Sequence, residues 1–196
     1  KKILDLGSGA GAIGIFLKKK YKKKINLFLS DKTVHSVSII NSNLKLNKAT
    51  GVAKQSDILK SWGNEKFDLI INDISAITIS VAKRFWYNQY IPHDCGNDGI
   101  KLSKKFLSSV EKNLTKTGII LMPVISISDH KLLTQLFKKK FKAKLLVTKE
   151  GPAPKNLIKG KVANFLKMKY IFKKYNTYLC FTKVYKLQIK NTNDRK

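Results

Sequence analysis

The stretch Ile3-Leu4-Asp5-Leu6-Gly7-Ser8-Gly9-Ala10-Gly11-Ala12-Ile13-Gly14 decides the fold. An apolar run that breaks into glycines and then into the amphipathic segment Ala12 to Lys20 reads as strand, tight turn and helix. Glycines at such a turn let backbone N–H groups approach a ligand and feed the helix N-terminus. Outward from it the pattern repeats. Ile25 to Leu29 predicts a second strand that stops at Ser30-Asp31, and Thr33 to Leu46 carries Val34, Val37, Ile40 and Leu44 near helical spacing. Val52 to Ser56 ends at Asp57, and Phe67 to Ile71 ends at Asn72-Asp73, so both are candidate parallel strands. Further on, Ile100 to Leu114 predicts a helix, and Thr117-Gly118 a turn into the strand Ile119 to Ile125. His130 to Phe141 predicts a helix, Leu145 to Thr148 a strand, Leu157 to Leu166 a helix in a lysine-rich segment, and Tyr178 to Leu187 a last strand. Alternating strands and helices predict an α/β domain around a parallel sheet. Ligands of such sheets bind beyond the carboxyl ends of the strands.

The 196 residues include 40 Lys plus Arg against 12 Asp plus Glu, a net charge of +28, and 43% of them are hydrophobic. That suits one domain with a real core and excludes a disordered basic tail. No run approaches the ~18 apolar residues of a membrane helix and no secretory pattern opens the chain, so a soluble, cytoplasmic protein is expected. Because the chain starts at Lys1 directly before an apolar run, an N-terminal element is expected to be missing. Cys95 and Cys180 form no ligand-spaced cluster, so neither a disulfide framework nor a metal site is expected. The basic runs Lys18 to Lys24, Lys138 to Lys144 and Lys155 to Lys174 mostly follow helix ends, where they complement the helix dipole. They suit a solvated face first and, as the alternative, a surface that faces a polyanion such as nucleic acid.

The glycine loop alone fits two cofactors. Gly9-Ala10-Gly11-Ala12-Ile13-Gly14 satisfies G-x-G-x-x-G, and Asp31 follows Gly11 by 20 residues, as in dinucleotide sites. Asp5 separates the readings, because a carboxylate repels a pyrophosphate and attracts the ammonium of an amino-acid-bearing cofactor. The string Asp5-Leu6-Gly7-Ser8-Gly9-Ala10-Gly11 resembles the D-x-G-x-G-x-G motif of class I S-adenosylmethionine-dependent methyltransferases. The resemblance implies a Rossmann-like fold with a seven-stranded, mostly parallel sheet and an antiparallel last strand. It implies a methyltransferase domain over residues 1–187, a frayed tail over 188–196, and S-adenosylmethionine (SAM) as cofactor with S-adenosylhomocysteine as product. Asp5, Gly7, Ser8, Gly9 and Gly11 would then surround the methionine portion, Asp31 with Lys32 the ribose, and Asp57 with Ile58 the adenine, with Asn72 beside the cofactor.

Phe67-Asp68-Leu69-Ile70-Ile71-Asn72, then Gly96-Asn97-Asp98-Gly99, then Leu114-Thr115-Lys116-Thr117-Gly118 are similar to the glutamine-N5 (HemK-like) and small-domain methyltransferases. Asn72-Asp73-Ile74-Ser75 departs from that family's N-P-P-Y after its first letter. The resemblance implies a catalytic role for Asn72, positioning an acceptor N–H; Asp73, where the sequence departs from the motif, is expected to act as an added acceptor or weak general base or, equally, to cap the following turn. Methyl transfer is an in-line displacement that orientation can accelerate, so no metal or nucleophilic Ser or Cys is required. Cys95 reads as an ordinary loop cysteine, and His35, His93 and His130 as surface or cap residues. Trp86 and Tyr87 suit either stacking on an acceptor or packing of their loop. Asp5, Asp31, Asp57, Asp73 and Asp98 are expected around one pocket. The implied function is methylation of a protein glutamine amide in the translation machinery. The alternatives are an RNA base amine or a SAM-binding module without turnover. The expected partner is a macromolecular acceptor, protein or RNA, with no membrane contact and the oligomeric state left open.

Overall fold

The computed structural model describes residues 1–82, 95–153, 155, 158 and 171–190. Trp86, Tyr87, His93, the helix expected over 157–166 and residues 191–196 of the expected tail lie outside the described residues. In chain order the elements are β1 (Lys2–Leu6), α1 (Ala12–Tyr21), β2 (Asn26–Asp31), α2 (Val34–Leu46), β3 (Val52–Gln55), β4 (Phe67–Asn72) and a single turn α3 (Ile79–Val81). They continue with α4 (Lys101–Ser109), β5 (Leu114–Ile125), α5 (His130–Lys140), β6 (Phe141–Pro152), β7 (Phe172–Lys174) and β8 (Thr177–Ile189). The sheet order is β3-β2-β1-β4-β5-β8-β6. The first five strands are mutually parallel, and β8 runs antiparallel to β5 and β6. The expected seven-strand path is therefore present, and the three-residue β7 adds an eighth strand that pairs only with β8.

Alternation along β1 sends Leu4 and Leu6 to one face and Ile3 and Asp5 to the other. Leu4 and Leu6 join Phe67, Ile70, Ile120 and Met122 beneath Phe106 of α4 and Phe137 of α5. On the opposite side, Leu27 and Leu29 of β2 pack on Ile15 of α1 and on Ile40 and Leu44 of α2. Trp62, in the turn after β3, meets Phe28 and Phe67 edge-on at ring distances of 5.7 and 5.6 Å. Its Nε1 donates to Ser30 Oγ at 3.2 Å, which ties this turn to the end of β2.

Three strands are longer than the sequence reading made them. β6 extends well beyond Leu145 to Thr148, because it is a largely exposed strand whose lysines interrupt the apolar signal while its backbone still pairs with β8. β5 begins at Leu114, so Thr117-Gly118 lies inside the strand instead of in a turn before it. β8 ends at Ile189, so Gln188 and Ile189, assigned to a tail, are sheet residues opposite Lys142 and Phe141.

Register fixes where function can sit. Leu6 lies between Ser30 of β2 and Asn72 of β4, and Asp31 lies beside Gln55 of β3. Four strand ends thus lie side by side, and the glycine loop leaves from the middle of them. Among the described residues no helix is long and apolar enough to cross a membrane, and no group of three or more His, Cys, Asp or Glu side chains could hold a metal ion.

Candidate active site

Backbone hydrogen bonds hold the glycine loop over the strand ends. Gly7 and Ser8 N–H both donate to Ser30 O at 2.9 Å, and Ser8 Oγ donates to Asp5 O at 2.5 Å and Ser30 O at 3.2 Å. Gly9 N–H donates to Asp31 Oδ2 at 3.0 Å. Gly7 adopts φ +78°, and a Cβ there would fall 2.8 Å from Asp73 O. No side chain fits between the loop and the backbone leaving β4.

Asp5 is 1% exposed, and its Oδ2 accepts from Gly14 N–H at 2.9 Å in the first turn of α1. A Cβ at Gly14 would come within 3.0 Å of that oxygen, so glycine is what lets α1 dock this closely. The other carboxylate oxygen, Oδ1, is buried with no hydrogen-bond partner. Burial pushes the Asp5 carboxyl up to about 6; the Gly14 N–H offsets this in part, and the nearby Asp73 and Asp31 add to it. Asp31 Oδ1 accepts from Thr33 N–H at 3.2 Å. Asp57 pairs with Lys105 Nζ of α4 at 2.5 Å, and this hydrogen bond holds its carboxyl below the usual range.

Asn72, 2% exposed, donates from Nδ2 to Met122 Sδ at 3.0 Å, which leaves its Oδ1 buried and unpartnered. Asp73 N–H donates to Leu6 O at 2.8 Å and so continues the β1–β4 ladder one step past the sheet. Its carboxylate is exposed to the cavity, and the surrounding walls raise its carboxyl above the ordinary value. Among the described residues none donates to that carboxylate, so the expected turn cap is not formed there.

A cavity of about 280 Å³ opens beyond these strand ends, bordered by Gly7, Gly9, Asp31, Lys32, Asp57, Ile58 and Asp73. Of the other residues named from the sequence, Asp5, Ser8, Gly11 and Asn72 lie outside its lining and support it from behind. Leu6, Thr33, Ser36, Ser56, Ile74, Ser75 and Leu102 also line it and were not among the expected site residues. Most of these are neighbours of the residues that were. Leu102 comes from α4 and had no local signal. Asp98 does not belong to the cavity lining: its Oδ1 accepts from Ile100 N–H at 3.0 Å and its Oδ2 from Lys104 Nζ at 2.7 Å. Burial, the largest single influence, raises its carboxyl, but Lys104 and the backbone N–H groups together outweigh it and leave it below the usual range. The adjacent Gly99, φ +73°, would place a Cβ 2.8 Å from Thr78 N and 2.9 Å from Ser128 Cβ, so this turn clamps three loops together.

Cys95 is fully buried and its Sγ donates to Ser75 O at 3.3 Å. It braces the segment after β4 and is placed to do no chemistry. Cys95→Ala is expected to lower the unfolding free energy by about 1 kcal/mol, checked by urea denaturation.

The sheet order and the glycine loop pinned to β2 make a Rossmann-like fold of the kind found in class I methyltransferases, with acids beyond its strand ends. Residues 1–73 match the methyltransferase small domain family. The ribosomal protein uL3 glutamine methyltransferase of Francisella tularensis is 24% identical over 128 residues, covering 62% of this chain and 40% of that protein. The ribosomal RNA small subunit methyltransferase C of Haemophilus ducreyi is 42% identical over 73 residues, 36% of this chain and 21% of that protein. The chain therefore spans less than half the length of either relative. Its fold is similar to the crystal structure of the ribosomal protein L11 methylase from Lactobacillus delbrueckii subsp. bulgaricus, with a TM-score of 0.54 at 13% identity over 92% of this chain and 68% of that one.

Proposed function

We propose that this chain binds SAM in the cavity beside the glycine loop and methylates the side-chain amide nitrogen of a glutamine in a protein of the translation machinery. The observation that carries this reading is the pair of orphaned buried oxygens, Asp5 Oδ1 and Asn72 Oδ1, on the two strands that flank the loop. Buried acceptors without partners are costly, and each suits one donor of the reaction. Asp5 Oδ1 suits the ammonium of the cofactor's methionine portion. Asn72 Oδ1 suits an N–H of a planar amide. Asp31 is held by Gly9 and Thr33 N–H groups and suits the ribose hydroxyls, and Asp57 with Ile58 the adenine end.

When bound, SAM supplies a methyl already activated on a sulfonium. The chain's residues then have to hold the amide nitrogen in line with it and dispose of one proton. Asn72 Oδ1 and the Asp73 backbone carbonyl accept the acceptor's N–H groups, which fixes the plane of the amide. As the nitrogen gains the methyl, its N–H proton passes to the Asp73 carboxylate or through it to water. The raised carboxyl of Asp73 makes it a better proton acceptor than a carboxylate in open water.

A second reading, methylation of an RNA base amine, is favoured by the net charge of +28 and by the 42% identity to a ribosomal RNA methyltransferase over 73 residues. Incubation of the full chain with methyl-labelled SAM and separated cell protein and RNA pools distinguishes the two. Label in a glutamine-containing peptide is the expected result. Label in RNA alone would transfer the case to the second reading.

A further inference from the structure

A second cleft, of about 440 Å³, lies between the C-terminal ends of α1 and α2, lined by Lys18, Lys19, Lys22, Lys23, Lys48 and the rest of the Asn47–Thr50 loop. We propose that it is a docking site for the phosphodiester backbone of a single-stranded nucleic acid, separate from the methyl-transfer site.

No acid lines this cleft, and Asp31, the one acid between residues 6 and 56, faces the cofactor cavity instead. Among the described residues none of the five lysines forms an ion pair; Lys18 Nζ donates to Ile25 O at 2.7 Å, a neutral acceptor. Complementing helix dipoles does not account for them. Each helix end carries roughly half a negative charge, so two ends offset about one of five. The backbone adds a second observation, since Lys22 and Lys48 adopt φ of 49° and 50°, where a glycine or asparagine is more at ease. Two strained positions thus both present lysines to one concavity.

The neighbouring aromatic residues indicate nucleic acid in preference to an acidic peptide. Phe16 and Tyr21 of α1 are 62% and 43% exposed, and Lys20 Nζ lies 5.9 and 5.7 Å from their ring centres. Exposed rings beside lysines give stacking platforms for bases next to charges for phosphates. The site is a tether and not an acceptor site, because the 10 residues of α1 separate it from the glycine loop by roughly 15 Å.

The test uses the full chain and a 12-nucleotide oligouridylate, with binding followed by fluorescence anisotropy across a salt series. The triple variant K22Q/K23Q/K48Q is expected to lose about tenfold to a hundredfold in affinity near 100 mM salt, and the slope of log K against log salt to fall by about 2. A control of equal charge, K131Q/K138Q/K139Q on α5, is expected to lose far less. SAM binding by calorimetry should be the same in all three proteins. An oligothymidylate arm distinguishes RNA from DNA, and binding of either supports the site. Equal losses in both variants, no loss in the cleft variant, or equally tight binding of an oligoglutamate of the same charge would overturn it.

Discussion

Asn72→Ala is expected to lower kcat by about 10²–10³ while leaving the affinity for SAM within a few-fold. The side chain is fixed by its Nδ2 on Met122 Sδ, which leaves the carbonyl oxygen as the group available to an acceptor. A single preorganised polar contact that strengthens as the reacting centre develops charge has an effect of that size. The register adds precision, since Asn72 is the last residue of β4 and lies opposite Leu6, immediately before the loop that Gly7 opens. A purely structural role predicts something else. If Asn72 only linked β4 to β5 through Met122, the alanine variant would melt earlier and turn over at the wild-type rate. Comparing kcat and KM for both substrates with the unfolding midpoint separates the two outcomes.

The strand–glycine–helix unit and the alternation of strands with helices were legible because they depend on local periodicity and turn chemistry. The acids at the strand ends were legible for the same reason, since a strand's end is visible in sequence and ligands bind there. The direction in which each side chain points was not. One oxygen of Asp5 is directed at Gly14 beneath α1, a partner its place in the motif did not indicate, and the other is left without a partner. That outcome depends on how closely α1 docks, and so on a glycine nine residues away. Asp98 was assigned to the pocket on proximity in the motif, yet Lys104 and the Ile100 N–H claim its carboxylate. Leu102 in the cavity wall, and Lys105 that pairs with Asp57, come from a helix far along the chain from the loop, contacts that only folding reveals. The surplus lysines could be read only as a group, either a solvated face or a surface for a polyanion. The structure distinguishes those that gather in a cleft from those spread along α5 and β6.

Asp5→Asn is expected to stabilise the ligand-free protein at neutral pH and to cost about 10²-fold or more in SAM affinity. The sign follows from the Asp5 carboxyl, pushed up to about 6 in the folded protein from 3.8. Between those values the folded state binds more protons than the unfolded state, so stability falls as pH rises through this window. Below pH 4 both states are protonated and the penalty vanishes. Above pH 6 it is fully present, at most about 3 kcal/mol for a shift of roughly two units. The asparagine keeps an oxygen for the Gly14 N–H and carries no charge, so its unfolding free energy should exceed that of wild type at pH 7.5 and match it near pH 4. Binding reverses the preference. An ammonium beside Asp5 favours the ionised form, and truncating one partner of such a buried charge pair costs about 2–5 kcal/mol. Wild-type affinity should therefore drop about tenfold per pH unit below about 6, where the carboxylate must first lose a proton, while the asparagine variant binds weakly and without that slope. Denaturation and calorimetry at pH 4, 5.5 and 7.5 give both halves. A variant that is less stable at every pH would make Asp5 a brace for α1 alone, and unchanged SAM affinity would remove it from the cofactor site.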